Sequence, residues 1–421
     1  MDKIVIKGGR RLSGSVELSG AKNSALPILA ATLLSDEKCV IEGVPNLRDI
    51  ITMCRLLRVL GARVSFEDGV VEVTPGPKLK PIAPYNLVST MRASVCVLGP
   101  LTAKLGEAQV SLPGGCVIGA RPIDLHLKGL QALGAKIKIE HGDVYTKTRG
   151  RLKGSEIYLG GAFGSSVLAT GNIMMAATLA QGTTFIENAA CEPEVVDLAN
   201  FLNKMGAKIS GHGSHLIEIQ GVRKLSGAKH KVIPDRIEMG TFMVASAITG
   251  GDVTIHNCIP DHNKALIDKL KQSGVQVERS KNSVRVRRKG KLKPVDVTTL
   301  PYPGFPTDLQ AQMMSLMATT PGISVITEKI YPDRFIHVSE LNRMGCNIFL
   351  EGSSAIINGA KRLSGAPVMA SDLRASAGLV LAGLAAEGET HVHRVYHLDR
   401  GYERIEEKLS GLGAQIERAK E

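Results

Sequence analysis

Apolar residues fall along the chain in two alternating patterns. The first is an Ala/Met/Leu-rich run with no polar face, at 25–34, 173–180, 240–248, 309–318 and 375–386. A helix that is apolar all round belongs inside a core, so these runs predict buried helices. The segment 91–104 resembles them, but Pro100 is expected to cut it. The second pattern is an amphipathic helix, with Leu127, Leu130 and Leu133, or Ile405, Leu409 and Leu412, at helical spacing. Strand-like runs lie between the two, at 183–186, 253–256, 324–327 and 390–393. Short strands follow the second helix, as at 136–140 and 144–146 around His141-Gly142-Asp143.

The order repeats. A glycine closes the amphipathic helix at Gly61, Gly134, Gly206, Gly274, Gly345 and Gly413, at intervals of 73, 72, 68, 71 and 68 residues. Such regularity marks copies of one supersecondary unit, and the glycine reads as the residue just past the helix end. With the helices buried, the strands must lie outside them. The expected class is therefore α/β, with six helix-strand-helix-strand-strand units forming two three-helix bundles wrapped by sheets. At 421 residues two domains are the natural expectation. The boundary is placed near the Gly-rich, basic stretch 221–231, giving 22–229 as one domain and 230–421 with 1–21 as the other. The strand-like segment 3–18 is expected to return and complete the C-terminal domain. Two closed triads would leave a cleft, where chemistry is expected.

Polar residues gather where the buried helices begin: Lys22-Asn23-Ser24, Met91-Arg92-Ala93-Ser94, Asp235-Arg236, Pro306-Thr307-Asp308 and Asp372-Leu373-Arg374-Ala375-Ser376. Helix N-termini attract anions, and cations placed there strengthen the site. A second set of arginines follows the strands, in Ala120-Arg121-Pro122, Asp333-Arg334-Phe335 and Asp399-Arg400-Gly401. Taken singly, Asp and Ser here are helix caps and the arginines are surface ion pairs. Their shared place in the repeats favours one anion site, with Arg suited to bidentate capture and Lys to a point charge. In the segment 112–122, three glycines flank Cys116 ahead of Arg121. Glycines let such a loop act as a lid, and a nearby guanidinium favours a reactive thiolate. The alternative is that Cys116 is a small apolar filler.

Composition narrows the classes. The seven cysteines, at 39, 54, 96, 116, 191, 258 and 346, are far apart, which signals neither a disulfide framework nor a zinc site. A formal charge of +12 fits nucleic acid or a small anionic substrate. The single dense basic run, 285–291, reads as a solvated strand end and turn. Eight Phe, seven Tyr and no Trp equip a single-strand binder poorly. No segment suggests a signal peptide or a membrane span, so a cytoplasmic location is expected.

Six motifs together resemble the UDP-N-acetylglucosamine 1-carboxyvinyltransferase family: Ser19-Gly20-Ala21-Lys22-Asn23, Met91-Arg92-Ala93-Ser94, Gly114-Gly115-Cys116 through Arg121-Pro122-Ile123-Asp124-Leu125-His126, Phe305-Pro306-Thr307-Asp308, Asp372-Leu373-Arg374-Ala375-Ser376, and Asp399-Arg400-Gly401-Tyr402-Glu403-Arg404. The resemblance runs through essentially the whole chain. It implies an inside-out α/β barrel of two domains and six repeats, phosphoenolpyruvate and UDP-N-acetylglucosamine as substrates, and no metal or organic cofactor. It implies further that Lys22, Arg121 and Arg400 hold the phosphoenolpyruvate phosphate, with Arg374 and Arg400 near its carboxylate. Asn23, Arg92, Arg121, Pro122, Ile123, Asp124, Leu125, His126, Gly164, Ser165, Ser166, Val167, Asp308 and Ile330 would line the sugar-nucleotide site, supported by Arg334. Cys116 would be the acid, Asp308 the base, and Lys22, Asp372 and Arg400 would complete the catalytic set. The epoxide fosfomycin would alkylate Cys116. Leu168 departs from the pattern, standing where Gly is expected. Two other readings remain: the sister enzyme acting on shikimate 3-phosphate, and a non-catalytic basic repeat protein that binds nucleic acid.

Overall fold

The computed structural model describes residues 2–112, 123–162, 164–359 and 362–421. These divide into two compact units, one of residues 20–112 and 123–233, the other of 2–19 and 234–421. Each has its own apolar core. The division falls at 19/20 and 233/234, a few residues from the expected 21/22 and 229/230. Strand Lys229–Lys231 explains the difference, because it pairs in parallel with Cys39–Glu42 and so belongs to the first unit. Ser19 is likewise tied to the second: its N–H donates to Glu238 (2.7 Å), its hydroxyl donates to Glu403 (3.1 Å), and it accepts from Lys408 (2.8 Å).

All six apolar helices form. In the first unit they are Lys22–Ala31, Leu98–Leu105 and Val167–Thr178. In the second they are Arg236–Thr249, Gln310–Ala318 and Leu373–Ala385. Pro100 does not cut the second copy. A 3-10 turn, Arg92–Val97, precedes the α-helix, which restarts at Leu98 and so carries Pro100 in its first turn, where a missing N–H costs no helical bond. The middle helix of the other unit is also preceded by a 3-10 turn, Thr307–Leu309. Polar groups hold the first bundle together from within. The Asn172 side chain accepts from the Gly99 N–H (2.7 Å) and donates to the Val95 carbonyl (3.0 Å) and His126 Nδ1 (2.9 Å).

Among the described residues, six four-stranded sheets cover the helices, all with one plan: an outer strand in parallel, then two antiparallel neighbours. In the sheet of the last repeat, Asp2–Lys7 lies between Glu389–His393 and Gln415–Lys420, antiparallel to both, in the place a hairpin strand fills elsewhere. Ser13–Glu17 pairs in parallel with Asp252–His256, as Lys229–Lys231 does with Cys39–Glu42. Each unit is therefore closed on itself by a strand distant in sequence. The basic run is the solvated strand expected: Arg285 makes a bidentate pair with Asp252 at 2.8 and 2.8 Å, and Arg287 reaches Glu278 at 3.3 Å.

The repeated glycines end their helices as the spacing implied, with φ of +102°, +94°, +98°, +92°, +88° and +95° in chain order. A Cβ at Gly206 or Gly413 would touch nothing within 4 Å, so only backbone strain opposes a side chain there. Gly206→Ala and Gly413→Ala are expected each to lower stability by about 1 kcal/mol, read as a shift in the urea midpoint with unchanged slope. An unchanged midpoint in both would contradict the assigned backbone.

Candidate active site

In the second unit, Asp372 starts the Leu373–Ala385 helix. Its carboxylate accepts from the N–H groups of Arg374 (2.8 Å) and Ala375 (3.2 Å), satisfying two of the helix's free donors. That cap fixes Arg374 in the first turn, where its side chain is 2% exposed. Asp308 comes from the 3-10 turn ahead of Gln310–Ala318. Its Oδ1 accepts from Arg334 Nη1 at 2.9 Å, and its Oδ2 accepts from Arg374 Nε at 3.1 Å, with Nη2 at 3.0 Å. The two arginines are nearly sealed, whereas the Asp308 side chain is 25% exposed, so the carboxylate is the part of the cluster that solvent or a ligand reaches.

Burial opposes the charge on both guanidiniums. For Arg374 the fields of Asp308, Tyr402 and Asp235 outweigh it, and for Arg334 those of Asp308, Asp372 and Glu328 do, so both are held above the ordinary arginine value. Behind the cluster, Gln312 Nε2 lies 3.1 Å from each of the Asp308 carbonyl, Thr241 Oγ1 and the Tyr402 hydroxyl. The Arg374 guanidinium sits 5.3 Å from the Tyr402 ring centre. The Val395–Arg400 turn packs here as well, since a Cβ on Gly401 would come within 2.4 Å of Leu373. His397, in that turn, has its imidazole pulled down by burial and by Arg400, against Asp372.

In the first unit, Lys22 opens its helix with its ammonium 3.1 Å from Asp49 Oδ2, both side chains under 10% exposed. Two residues on, the Ser24 hydroxyl donates to Asp197 (2.5 Å), which also binds His230 Nε2 (2.9 Å) and accepts from the Ile233 N–H (3.2 Å). One buried carboxylate thus fixes the start of the helix that presents Lys22 and Asn23. His126 is buried too. Because the Asn172 amide donates to its Nδ1, the ring is neutral with the proton on Nε2. Burial and then Arg92 push its pKa down to about 3. Gly160–Gly161 and Gly164–Ser165 form a two-stranded ribbon, and Ser166 caps the next helix through the Ala169 N–H. Leu168 lines a narrow crevice with Asn23, Val167, Gly171 and Glu194.

Known proteins place this geometry. A family model described as EPSP synthase (3-phosphoshikimate 1-carboxyvinyltransferase) matches residues 6–409. The UDP-N-acetylglucosamine 1-carboxyvinyltransferase 2 of Carboxydothermus hydrogenoformans is 58% identical over 420 residues, covering 99% of both chains. The UDP-N-acetylglucosamine 1-carboxyvinyltransferase of Methylacidiphilum infernorum is 56% identical over 418 residues, again covering 99% of each. This chain belongs to the UDP-N-acetylglucosamine 1-carboxyvinyltransferase family. Among solved structures, the enolpyruvyl transferase NikO from Streptomyces tendae superposes with a TM-score of 0.89 at 25% identity, covering 99% of each chain. An EPSP synthase from Acinetobacter baumannii shares the fold, with a TM-score of 0.75 at 20% identity over 100% of each chain. The inside-out α/β architecture and membership of a transferase family both follow.

For a carboxyvinyltransferase, the residues expected from sequence fall into two groups. Asp308, Arg334, Arg374 and Asp372 form one cluster, with Ile330 and the Arg400 turn beside it. Lys22, Asn23, Arg92, Ile123, Asp124, Leu125, His126, Gly164, Ser165, Ser166 and Val167 belong to the other unit. Cys116, Arg121 and Pro122 lie outside the described residues. The cap reading holds for Asp235, which accepts from the N–H groups of Ile237 (2.7 Å) and Glu238 (3.0 Å), and for Asp372. The surface-pair reading fails for Arg334 because its side chain is buried. Sequence reasoning missed Asp49, Asp197, Gln312 and Glu328. Each is an isolated polar residue whose importance comes at least in part from partners 20 or more residues away in the chain.

His337 was also missed. It is 1% exposed, neither ring nitrogen has a hydrogen-bond partner, and burial, with Arg334 and against Asp372, pulls its pKa down to about 4. The unfolded chain protonates both His126 and His337 near pH 6.5, and the folded chain does so only near pH 3 and 4. The stability these two histidines contribute is therefore full well above pH 6.5 and declines on acidification, by up to about 1.4 kcal/mol per pH unit for each histidine. Urea titrations between pH 7 and pH 5 should show His337→Asn losing one proton's worth of that slope. An unchanged slope would mean the imidazole is not held neutral.

Proposed function

We propose that this chain carries the 1-carboxyvinyl (enolpyruvyl) group of phosphoenolpyruvate to the 3′-hydroxyl of UDP-N-acetylglucosamine, releasing phosphate, in peptidoglycan precursor synthesis. The observation that carries the residue-level reading is the Asp308 carboxylate, partly exposed while held by two buried guanidiniums. Fixed this way, one carboxylate oxygen can stay aimed at a ligand hydroxyl without reorganisation.

The reaction runs by addition and then elimination. The sugar oxygen bonds to C2 of phosphoenolpyruvate while its proton passes to Asp308, and the π pair takes a proton at C3 from the Cys116 thiol. The resulting tetrahedral intermediate then loses phosphate from C2 as C3 returns a proton, restoring the double bond. Lys22, Arg121 and Arg400 offset charge on the phosphate, and Arg400 lies near the substrate carboxylate, to which Arg374, sealed behind Asp308, adds its positive field. The start of the Lys22 helix is suited to this, since an ammonium beside a helix N-terminus draws anions. Asp372 holds Arg374 in place through the cap. The sugar nucleotide is met by Asn23, Arg92, residues 121–126, residues 164–167 and Ile330, and Arg334 supports Asp308. The enzyme acts in the cytoplasm, and its anion-binding groups serve small molecules rather than nucleic acid.

The six described cysteines are all buried. Burial pushes Cys54 and Cys258 up to about 11 and Cys96 and Cys346 up to about 12, and it raises Cys39 and Cys191 as well. None of them is a ready nucleophile at neutral pH. Fosfomycin treatment followed by peptide mapping should therefore label Cys116, and preferential labelling of any other cysteine would contradict its role.

Phosphate release with each acceptor tests the whole reading. Release from phosphoenolpyruvate is expected with UDP-N-acetylglucosamine and not with shikimate 3-phosphate, and Asp308→Asn should lower kcat by about 100-fold or more. Release only with shikimate 3-phosphate would overturn the substrate assignment.

A further inference from the structure

Glu328 is fully buried, and its carboxylate gathers four donors, two from the backbone just after it and two from hydroxyls elsewhere in the chain. Oε1 accepts from Thr299 Oγ1 (2.6 Å) and from the N–H groups of Ile330 (2.8 Å) and Tyr331 (3.0 Å). Oε2 accepts from the Thr307 hydroxyl (2.8 Å). Thr307 precedes Asp308, and its oxygen in turn accepts from Arg334 Nη1 (3.0 Å), the same nitrogen that donates to Asp308 Oδ1 (2.9 Å). An ionised carboxylate can only accept. The Thr307 proton must therefore point at Glu328, which leaves the Thr307 lone pairs for Arg334 and sets the direction of the whole chain Arg334 to Thr307 to Glu328.

We propose that Glu328 is a positioning residue that couples the two tasks of this half of the site, holding the Ile330 backbone against the sugar nucleotide and, through Thr307 and Arg334, the Asp308 carboxylate against the sugar hydroxyl. The proposal rests on the roles given above to Ile330 and Asp308. With its N–H committed to Glu328, Ile330 meets a ligand through its carbonyl and side chain. The Ile330 and Tyr331 N–H bonds define one arm, and the Thr307 bond defines the other. A substitution can therefore cut one arm and leave the other.

Glu328→Gln keeps the size of the side chain. Its amide oxygen can keep the Thr299, Ile330 and Tyr331 donors, but its NH2 then faces the Thr307 hydroxyl, whose proton loses its acceptor. Both arms lose the carboxylate charge. Hydrogen bonds to a charged group are worth roughly a tenfold change or more, so Glu328→Gln should lower kcat about tenfold and raise KM for UDP-N-acetylglucosamine about tenfold, with KM for phosphoenolpyruvate within about twofold of the parent. Thr307→Val cuts only the second arm and should lower kcat about tenfold with KM for the sugar nucleotide within about twofold, and Thr307→Ser should restore kcat. A purely structural residue would reduce the amount of folded enzyme without splitting the two constants. Parent-like constants in Glu328→Gln, or an equal rise of KM in Thr307→Val and Glu328→Gln, would overturn the coupling. Asp308→Asn assayed alongside separates the two levels. Near-parent turnover there overturns the role of Asp308 and with it the kcat arm, whereas an inactive Asp308→Asn beside an unaffected Glu328→Gln overturns the role of Glu328 alone.

Discussion

A full charge at the end of a helix with no polar face must meet an opposite charge or unfold the helix start. Desolvation of a lone ion costs several kcal/mol, more than any single apolar contact returns. Each unit answers this requirement with a carboxylate from a neighbouring element. Lys22 meets Asp49, from the first turn of the Arg48–Val59 helix. Arg374 meets Asp308, which Arg334 holds from the other side. The same pairs that permit burial also hold the charges in place. Fixed cations with one accessible carboxylate suit a reaction in which an anionic substrate binds, a hydroxyl gives up its proton and phosphate departs.

The repeat supplies the frame for that arrangement. In each unit three buried helices run inside with the four-stranded sheets outside them, and in the second unit Asp308, ahead of one helix, meets Arg374 in the first turn of another. Closure by a strand from elsewhere in the chain, Lys229–Lys231 in one unit and Ser13–Glu17 in the other, leaves no repeat at an open end. Glycine makes the close approaches possible. A Cβ at Gly99 would lie 2.3 Å from the Asn172 side chain that orients His126, and one at Gly401 would strike Leu373 beside Arg374.

Much of this was legible in the sequence because it rests on periodicity. The six glycines, the apolar helices and the strand runs are local patterns, and the motifs at the helix starts named Lys22, Asp308, Asp372 and Arg374. Pro100 misled because its cost depends on whether it falls in a first turn, and the 3-10 turn that puts it there leaves no mark in composition. Glu328, Asp49, Asp197 and Gln312 were invisible for another reason. A buried carboxylate differs from a solvated one only in what surrounds it, and Glu328 draws its donors from residues 299, 307, 330 and 331. Leu168, by contrast, was noticed in the sequence, and the structure places it beside Asn23 in the crevice at the head of the first bundle.

The claim beneath all of this is that Arg374 is tolerated inside the core because Asp308 answers its charge. A double-mutant cycle in urea unfolding, with Asp308→Asn, Arg374→Met and both together, measures that coupling directly. Each single change should cost roughly 3 kcal/mol or more by stranding a buried charge or its partners, and the double change should cost clearly less than their sum. Additive losses would mean that the two charges do not depend on each other, and the account of the site would fail with them.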